Sequence, residues 1–240
     1  MQRSVETLQV LDRSGIAHAG AGSNLSAAQA PAFLTAKGVR IGIVAFADYP
    51  LAWAATATSP GINYTPISTA PEDFAKVEHA LEVVRQQADL VLFSIHWGPN
   101  MRSRPTKAFR DFAHKVITAG ADLFWGHSAH LVQGIEFYQG KPILYDTGDF
   151  IDDYAVDPEE RNDLSALFLV RARPPHIENL ELIPVQISNE QVNLAEGEEY
   201  DWFAQRITTL CAEMGTKVIT EPRKLSLVVP LEDREGKVAK

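Results

Sequence analysis

The stretch Asp89-Leu-Val-Leu-Phe-Ser-Ile-His-Trp-Gly98 decides the fold, together with Gly120-Ala-Asp-Leu-Phe-Trp-Gly-His127 further along the chain. Each contains a short apolar run that predicts a buried strand, and residues 106–119 between them carry phenylalanines at helical spacing. A strand, a helix and a strand in this order indicate parallel neighbours in a sheet that is covered on both faces. The sequence therefore predicts an α/β fold.

The same alternation continues on both sides of these strands. Upstream, residues 40–47 form another apolar run, and residues 72–87 carry apolar side chains at helical spacing. Downstream, Gln139-Gly140-Lys141 has the composition of a hairpin turn. Further strands are predicted at 165–171, 177–187 and 225–230, and a further helix at about 199–214. With no linker long enough to separate two domains, we expect one domain over residues 1–231 and a charged tail at 232–240.

Composition and charge exclude several classes of protein. The 31 acidic and 22 basic residues give a formal net charge of −9, which argues against a general affinity for nucleic acid or anionic membranes. No segment reaches the roughly 18 apolar residues of a membrane helix, and the N-terminus has no secretory signal pattern. Cys211 is the single cysteine and is expected to be a small buried hydrophobe. The chain as given is expected to be cytoplasmic.

Three histidines follow the two predicted parallel strands. His96 comes directly after the first, and the second runs into Gly126-His-Ser-Ala-His130. Residues just past the carboxyl ends of parallel strands line the ligand crevice of an open α/β sheet. Because neutral imidazole is a good ligand for divalent ions, we expect His96, His127 and His130 to bind zinc, manganese or iron. The alternative is that each histidine has a separate structural role.

Carboxylates and arginines surround these histidines in the sequence. Five aspartates fall between positions 145 and 157, and Asp146 and Asp149 are the nearest to a predicted strand end. We expect these two to orient a ligand or to carry protons, whereas the other three fit a solvated loop equally well. Arg102 and Arg104 precede a helix where cations do not stabilise the dipole, which suggests anion binding; surface bases are the alternative.

Two further segments, a glycine-rich stretch at 19–23 and a long loop at 48–70, could contribute to a binding site. Ala19-Gly-Ala-Gly-Ser23 matches no phosphate-binding loop pattern and is interpreted as a turn. Residues 48–70 form a long loop that is either a lid over a site or a cover packed on the core.

In combination, these segments resemble the CapA-type capsule synthesis family, the poly-γ-glutamate PGA_cap domain, which is related to calcineurin-like metallophosphoesterases. The matching segments run in the family's order over about residues 1–152. They are Gly15-Ile-Ala-His-Ala-Gly-Ala-Gly22, His96-Trp-Gly98, Gly120-Ala-Asp122, Gly126-His-Ser-Ala-His130, Gln133-Gly134, Lys141-Pro-Ile-Leu-Tyr145 and Thr147-Gly-Asp-Phe150.

The resemblance implies a layered αββα sandwich with a metal centre, in which His96, His127 and His130 match metal ligands. It implies a metal-dependent hydrolase-type domain of capsule or poly-γ-glutamate biosynthesis that acts on an anionic polymer or phosphoester. His96, His127, Asp146 and Asp149 would then be catalytic, Arg102 and Arg104 would bind substrate, and other capsule-synthesis proteins would be partners.

The sequence departs from the family pattern in three respects. The family's early Gly-Asp and Asn-His motifs would lie upstream of Met1, so the domain is expected to be incomplete at its N-terminus. The loss of a membrane anchor or signal with that part is left open by the sequence. Ala129 stands where the family has proline, and Asp149 stands where it has asparagine. Two alternatives therefore remain: a non-catalytic polymer-binding component of synthesis or export, and an inactive truncated fragment.

Overall fold

The computed structural model describes residues 2–224 and 226–230, which form two compact units. The first unit comprises Met1–Gly98 and Lys107–Phe124, and the second comprises Pro99–Thr106 and Trp125–Lys240. The charged tail predicted at 232–240 lies outside the described residues, and the single domain over 1–231 stays a prediction. The mixture of helices and sheets confirms the predicted α/β class.

The first unit contains four α-helices, a 3₁₀ helix at Leu51–Trp53 and five strands among its described residues, and its α-helices and strands are named here. In chain order they are α1 (Gln2–Arg13), β1 (Ala21–Gly22), α2 (Leu25–Gln29), β2 (Ala32–Ala36), β3 (Val39–Ala47), β4 (Gly61–Ile62), α3 (Pro71–Arg85), β5 (Leu90–His96) and α4 (Lys107–Thr118). The strands predicted at 40–47 and 89–95 correspond to β3 and β5. These two pair in parallel from Ile41 opposite Leu90 to Ala47 opposite His96, as predicted.

Aromatic rings fill the interior of the first unit because β3, β5, α3 and α4 direct apolar side chains inward. Phe93 on β5 stacks on Phe46 and on Phe124, with ring centroids 5.4 Å and 5.3 Å away. Trp97 is fully buried and lies 4.8 Å from the Phe124 ring. The apolar face predicted for the helix at 72–87 is buried in α3. Trp97 thereby anchors the chain immediately after His96.

The glycines of the segment 19–23 allow close packing of the backbone. A Cβ atom on Gly22 would lie 2.3 Å from the backbone nitrogen of Ala28, and one on Gly20 would lie 2.9 Å from the Cβ of Ala45. The segment forms β1, which pairs with β4 inside the long loop. The glycines are therefore explained by packing, and the segment, which was predicted to be a turn, contains a short strand at Ala21 and Gly22.

An ion pair fixes the start of β5 in the first unit. The Asp122 carboxylate is buried, contacts the Arg85 guanidinium and accepts a hydrogen bond of 2.9 Å from the Val91 N–H. Arg85 also donates to the Gly120 carbonyl at 2.8 Å. The aspartate of the Gly120-Ala-Asp122 segment is therefore explained by its structural role at the start of β5.

The second unit contains one α-helix, α5, a 3₁₀ helix at Pro222–Lys224 and eight strands among its described residues. The first of these strands crosses the boundary between the units, and α5 and the strands are named here. They are β6 (Leu123–His127), β7 (Ile135–Tyr138), β8 (Lys141–Leu144), β9 (Leu164–Arg173), β10 (His176–Ser188), β11 (Gln191–Leu194), α5 (Gly197–Glu213), β12 (Ile219–Glu221) and β13 (Ser226–Pro230). The predicted hairpin is confirmed: β7 and β8 are antiparallel, with Gln139 and Gly140 at positive φ in the turn.

Strand β10 organises an antiparallel sheet in the second unit. It pairs with β9 along one edge and with β13 and β11 along the other. Asn189 and Glu190 form the turn between β10 and β11, and both have positive φ, as in a type I′ turn. The strands predicted at 165–171, 177–187 and 225–230 correspond to β9, β10 and β13, although Leu225 lies outside the described residues.

Helix α5 buries the apolar face that was predicted for residues 199–214. Its buried side chains include Phe203, Ile207 and Leu210. Cys211 is fully buried and accepts a hydrogen bond from the Ile135 N–H at 3.3 Å, as expected for a small hydrophobe. Burial raises the pKa of its thiol to about 11. Within the described residues, no helix is both long enough and apolar enough to cross a membrane.

Candidate functional site

The residues predicted to be functional fall in both units. His96 belongs to the first unit, and the second unit carries the others: Arg102, Arg104, His127, His130, Asp146 and Asp149. The predicted residues of each unit are described separately.

In the first unit, an exposed His96 ends β5 and stands beside Asp48, which directly follows β3. The Asp48 N–H donates to the His96 carbonyl at 3.0 Å, and the Asp48 carboxylate accepts from the Gly98 N–H at 2.8 Å. Because β3 and β5 are parallel, both residues lie at the same edge of the sheet. Sequence reasoning missed Asp48, although a polar residue directly after an apolar strand is a signal that could have identified it.

In the second unit, the loop after β6 has an unusual backbone conformation. Ser128 has a φ of 125° and His130 a φ of 60°, a region of φ that residues other than glycine adopt at a cost of about 1–3 kcal/mol each. The Met101 N–H donates to the Ala129 carbonyl at 2.8 Å from outside the loop. Surrounding contacts of this kind are needed to hold such a conformation.

Asp146 provides the second restraint on this loop. Its carboxylate is 1% exposed and accepts hydrogen bonds from the Ala129 N–H at 2.8 Å and the Gly148 N–H at 3.0 Å. Burial raises the pKa of Asp146 to about 7, opposed by these two hydrogen bonds and by the charge of Arg102, while Asp149 raises it further. With both oxygens bound to backbone, Asp146 is placed to support its neighbours rather than to touch a substrate.

His130 and Asp149 form a hydrogen-bonded pair. The His130 Nδ1 lies 2.8 Å and 3.0 Å from the two carboxylate oxygens of Asp149. A carboxylate accepts hydrogen bonds, so this contact assigns the proton to Nδ1 and leaves Nε2 of the neutral ring as the atom with a lone pair. The Tyr154 ring meets His130 edge-on, with centroids 4.9 Å apart.

A second carboxylate lies next to this pair. The pKa of Asp149 is raised by burial and by its contact with Asp152, and lowered by His130. Asp152 Oδ1 accepts from the Tyr154 N–H at 3.1 Å, while its buried Oδ2 has no hydrogen-bond donor. Asp157 instead orders its own loop, because it accepts from the N–H groups of Glu159 and Glu160 at 2.9 Å. Of the three aspartates given a solvated alternative, Asp152 is thus close to the site.

The two predicted substrate-binding arginines differ in their contacts. Arg104 donates through Nε and one terminal nitrogen to the Glu213 carboxylate, at 2.7 Å and 2.8 Å. Arg102 is half-buried; its carbonyl accepts from the Gln133 side chain at 2.5 Å, and its charge acts on Asp146. An anion that binds Arg104 would therefore have to compete with the Glu213 carboxylate. The charge of Arg102 instead acts on the Asp146 carboxylate.

A metal site is the chemistry that the sequence predicts for the histidines. Over residues 2–224 and 226–230, no group of three or more His, Cys, Asp or Glu side chains is arranged to hold a metal ion. A carboxylate that holds Nδ1 of a histidine is nevertheless the arrangement typical of a metal-ligating imidazole. The described structure thus supplies one histidine oriented in that way, without a complete ligand set.

These observations define a class: an α/β protein that carries histidine and aspartate side chains on the loops at its strand ends. The family model described as "Bacterial capsule synthesis protein PGA_cap" matches residues 4–154, a range that includes all seven residues predicted to be functional. The chain belongs to this family of bacterial capsule synthesis proteins.

Several curated proteins are similar to the chain. A "Probable polyglutamine synthesis accessory protein" of Mycobacterium tuberculosis is 32% identical over 98% of this chain and 65% of its own length. The "Capsule biosynthesis protein CapA" of Bacillus anthracis is 28% identical over 76% of this chain and 43% of its own length. The "PGA biosynthesis protein CapA" of Bacillus subtilis is 30% identical over 64% of this chain and 39% of its own length. The chain thus spans less than two thirds of each of these relatives.

Among solved structures, a hypothetical protein from Thermus thermophilus matches 68% of this chain and 58% of its own, with 13% sequence identity and a TM-score of 0.35. That likeness is too weak to support an argument.

Proposed function

We propose that this chain acts in the biosynthesis of an anionic polymer such as poly-γ-glutamate, through a metal-dependent, hydrolase-type site. The family and the names of the relatives support the pathway. The hydrolase-type chemistry rests on the histidines and aspartates at the strand ends.

The observation that carries the proposal is the His130–Asp149 pair on a conformationally strained loop. A ring held through Nδ1 by a carboxylate presents Nε2 in one direction, either to a metal ion or to a proton in transfer. Strained backbone in a loop of this kind is concentrated at functional sites. A histidine with a merely structural role would not need both features.

Three residues of the second unit have different proposed roles. Asp149 fixes the ring of His130, and its raised pKa means that it holds a proton more tightly than an ordinary aspartate, which suits a group that transfers protons. Asp146 holds the loop through Ala129 and positions His130 indirectly. Arg102 places positive charge near these carboxylates, where it favours an anionic substrate.

A divalent ion held by His96, His127 and His130 would supply an activated water and polarise the scissile group. Because the described residues do not gather three donors around one point, no step of the reaction is assigned to the ion. Whether the protein binds a divalent ion is tested by the experiment below.

The test measures metal content and turnover together. Purified protein is analysed for bound metal and assayed against phosphodiester and γ-glutamyl substrates. Loss of metal and turnover in His127→Ala supports the proposal, and full turnover in that variant ends it. His79→Ala, which removes an exposed histidine on α3, is the matched control and should retain both.

A second candidate function is polymer binding without catalysis. It is favoured by the absence of a three-donor metal group within the described part of the chain. It predicts saturable binding of poly-γ-glutamate with no turnover, and binding that is unaffected by a chelator. The two candidates are separated by whether His127→Ala loses turnover or leaves a binding activity intact.

A further inference from the structure

Strand β9 has an open outer edge in the second unit. It is ten residues long, and β10 is its only strand partner among the described residues. Its first three residues are buried, whereas residues 167–173 are exposed or half-buried. The other outer strands of the same sheet, β11 and β12, are only four and three residues long. Residues 167–173 therefore form the longest open edge in the described part of this sheet.

The open edge of β9 has the composition of a strand that pairs with another strand. About half of its residues direct their N–H and C=O groups away from β10, where a further strand could bond to them. Leu167, Leu169 and Val170 are 41%, 39% and 42% exposed. Natural edge strands are often protected by proline, lysine or other charged residues, and none of these occurs from Leu164 to Val170. This stretch of the edge is thus apolar and unprotected.

The two ends of β9 differ in charge. At its C-terminal end, Arg171 and Arg173 are largely exposed, and their ion pairs with glutamates of β10 are long, at 3.7 Å and 3.3 Å. Such exposed pairs are weak, so both guanidinium groups can also interact with a partner. At its N-terminal end, the exposed Asp153 and Glu190 line a groove together with Asp163, which directly precedes the strand. The edge is therefore basic at one end and acidic at the other.

A second copy of β9 is complementary to this edge. A two-fold axis that relates two copies of an edge strand makes them antiparallel and gives a closed dimer with one continuous sheet. The basic end of each copy then points toward the acidic end of the other, whereas a parallel arrangement would bring like charges together. An axis perpendicular to the sheet also keeps Leu167 and Leu169 of both copies on one face. There the leucines can pack against each other and against the aliphatic parts of the arginines.

We infer that two copies of this chain associate through antiparallel pairing of residues 167–173 of β9. The observations that carry the inference all belong to the second unit, and none of them depends on the proposed function. Residues 167–173 extend over about 23 Å, at about 3.3 Å for each residue of a strand. Because the interface is small, we expect weak association, with a Kd of about 10–100 µM.

The experiment is sedimentation velocity of the whole chain from about 1 to 500 µM, with a chelator present to exclude bridging by metal ions. We expect a reversible equilibrium between monomer and dimer. The dimer should dissociate at least about threefold more readily in 0.5 M than in 0.05 M salt, because salt screens the attraction between the charged ends. Hydrogen exchange at the lowest and highest concentrations identifies the surface. Amides within residues 167–173 should exchange more slowly in the dimer, and those of β11 should be unchanged.

Variants test the same surface independently. The double change Leu167→Lys and Leu169→Lys places like charges along the edge and should raise the Kd for dimerisation at least about tenfold. Leu194→Lys, which changes a 55% exposed leucine on β11, is the matched control and should dimerise like the wild type. Urea melts check that both variants fold, and the hydrogen exchange of the wild type decides the question should the double variant not fold.

Three results would each overturn the inference. The first is a chain that stays monomeric up to about 500 µM, which would mean that a strand other than a second copy covers this edge. The second is a dimer in which the β9 amides gain no protection. The third is an undiminished dimer in the folded double variant.

Discussion

Replacing Asp146 by asparagine tests whether its carboxylate fixes the loop that carries His127 and His130. Asparagine offers one side-chain oxygen to the two N–H groups that Asp146 now satisfies, those of Ala129 and Gly148. A buried N–H that loses its acceptor costs about 1–3 kcal/mol. At acidic pH the protonated carboxyl of the wild type keeps a second oxygen that accepts weakly, whereas the NH₂ group of asparagine accepts nothing, so we expect the variant to be less stable by at most about that amount.

The same substitution should change how stability depends on pH. The pKa of Asp146 rises from 3.8 to about 7 in the folded protein, mainly because of burial. Since the folded state binds the proton more tightly than the unfolded chain, this contribution to stability is complete below about pH 4 and is lost as the pH rises through 7. A pKa difference of about 3 corresponds to about 4 kcal/mol, at about 1.4 kcal/mol for each unit of pKa.

The assay is urea unfolding of both proteins between about pH 4.5 and 8, with a chelator present. The wild type should lose several kcal/mol across this range relative to Asp146→Asn, so that the two free energies of unfolding converge or cross near neutral pH. Asp201→Asn, which changes an exposed aspartate on α5, serves as the control. Parallel pH dependences for wild type and Asp146→Asn would refute the reasoning.

Three further predictions concern the framework around the site. Asp122→Ala should lower the free energy of unfolding by about 3–5 kcal/mol, measured in urea, because the Arg85 ion pair is lost and a buried N–H is left unsatisfied; a loss below about 1 kcal/mol would contradict this. Gly22→Ala should destabilise by more than about 2 kcal/mol because its Cβ meets backbone at 2.3 Å. Gly38→Ala has open space around its Cβ but a φ of 81°, so it should lose only the roughly 1–2 kcal/mol of backbone strain, and equal losses in the two variants would show that packing is not the cause. Cys211 should resist a thiol reagent in the native state and react once urea unfolds the chain, because it is buried and its thiol pKa is about 11; fast native labelling would disprove its burial.

The elements that the sequence predicted well are those with the strongest apolar patterns. Strands β3 and β5 consist of continuous apolar runs, and α3 and α5 bury their periodic faces, so local pattern and tertiary burial agree. Strand β2 was missed because only its first residue is buried and the rest of its pattern is polar or exposed. Strands β11 and β12 are short and largely exposed, and they form only because β10 and β13 offer them a partner.

The candidate site was also predicted only where the sequence carries a local signal. Its histidines and aspartates were identified because they follow apolar strands, which is a local signal. The Asp146 contact with Ala129 and the His130 contact with Asp149 join residues 17 and 19 positions apart, and depend on how two loops fold against each other. The pairing of Arg104 with Glu213 spans 109 positions and has no local signature. Contacts of this kind follow from tertiary structure and were not predictable from the pattern of residue types.

The central claim is that the histidines at the strand ends form a metal-dependent functional site. Calorimetric titration of metal-free protein with Zn²⁺ and Mn²⁺, performed on the wild type, His130→Ala and His79→Ala, tests it most directly. The account predicts saturable binding of one of these ions to the wild type and to His79→Ala, and at least about tenfold weaker binding to His130→Ala. A folded wild type that binds neither ion, or an undiminished affinity in His130→Ala, would contradict it.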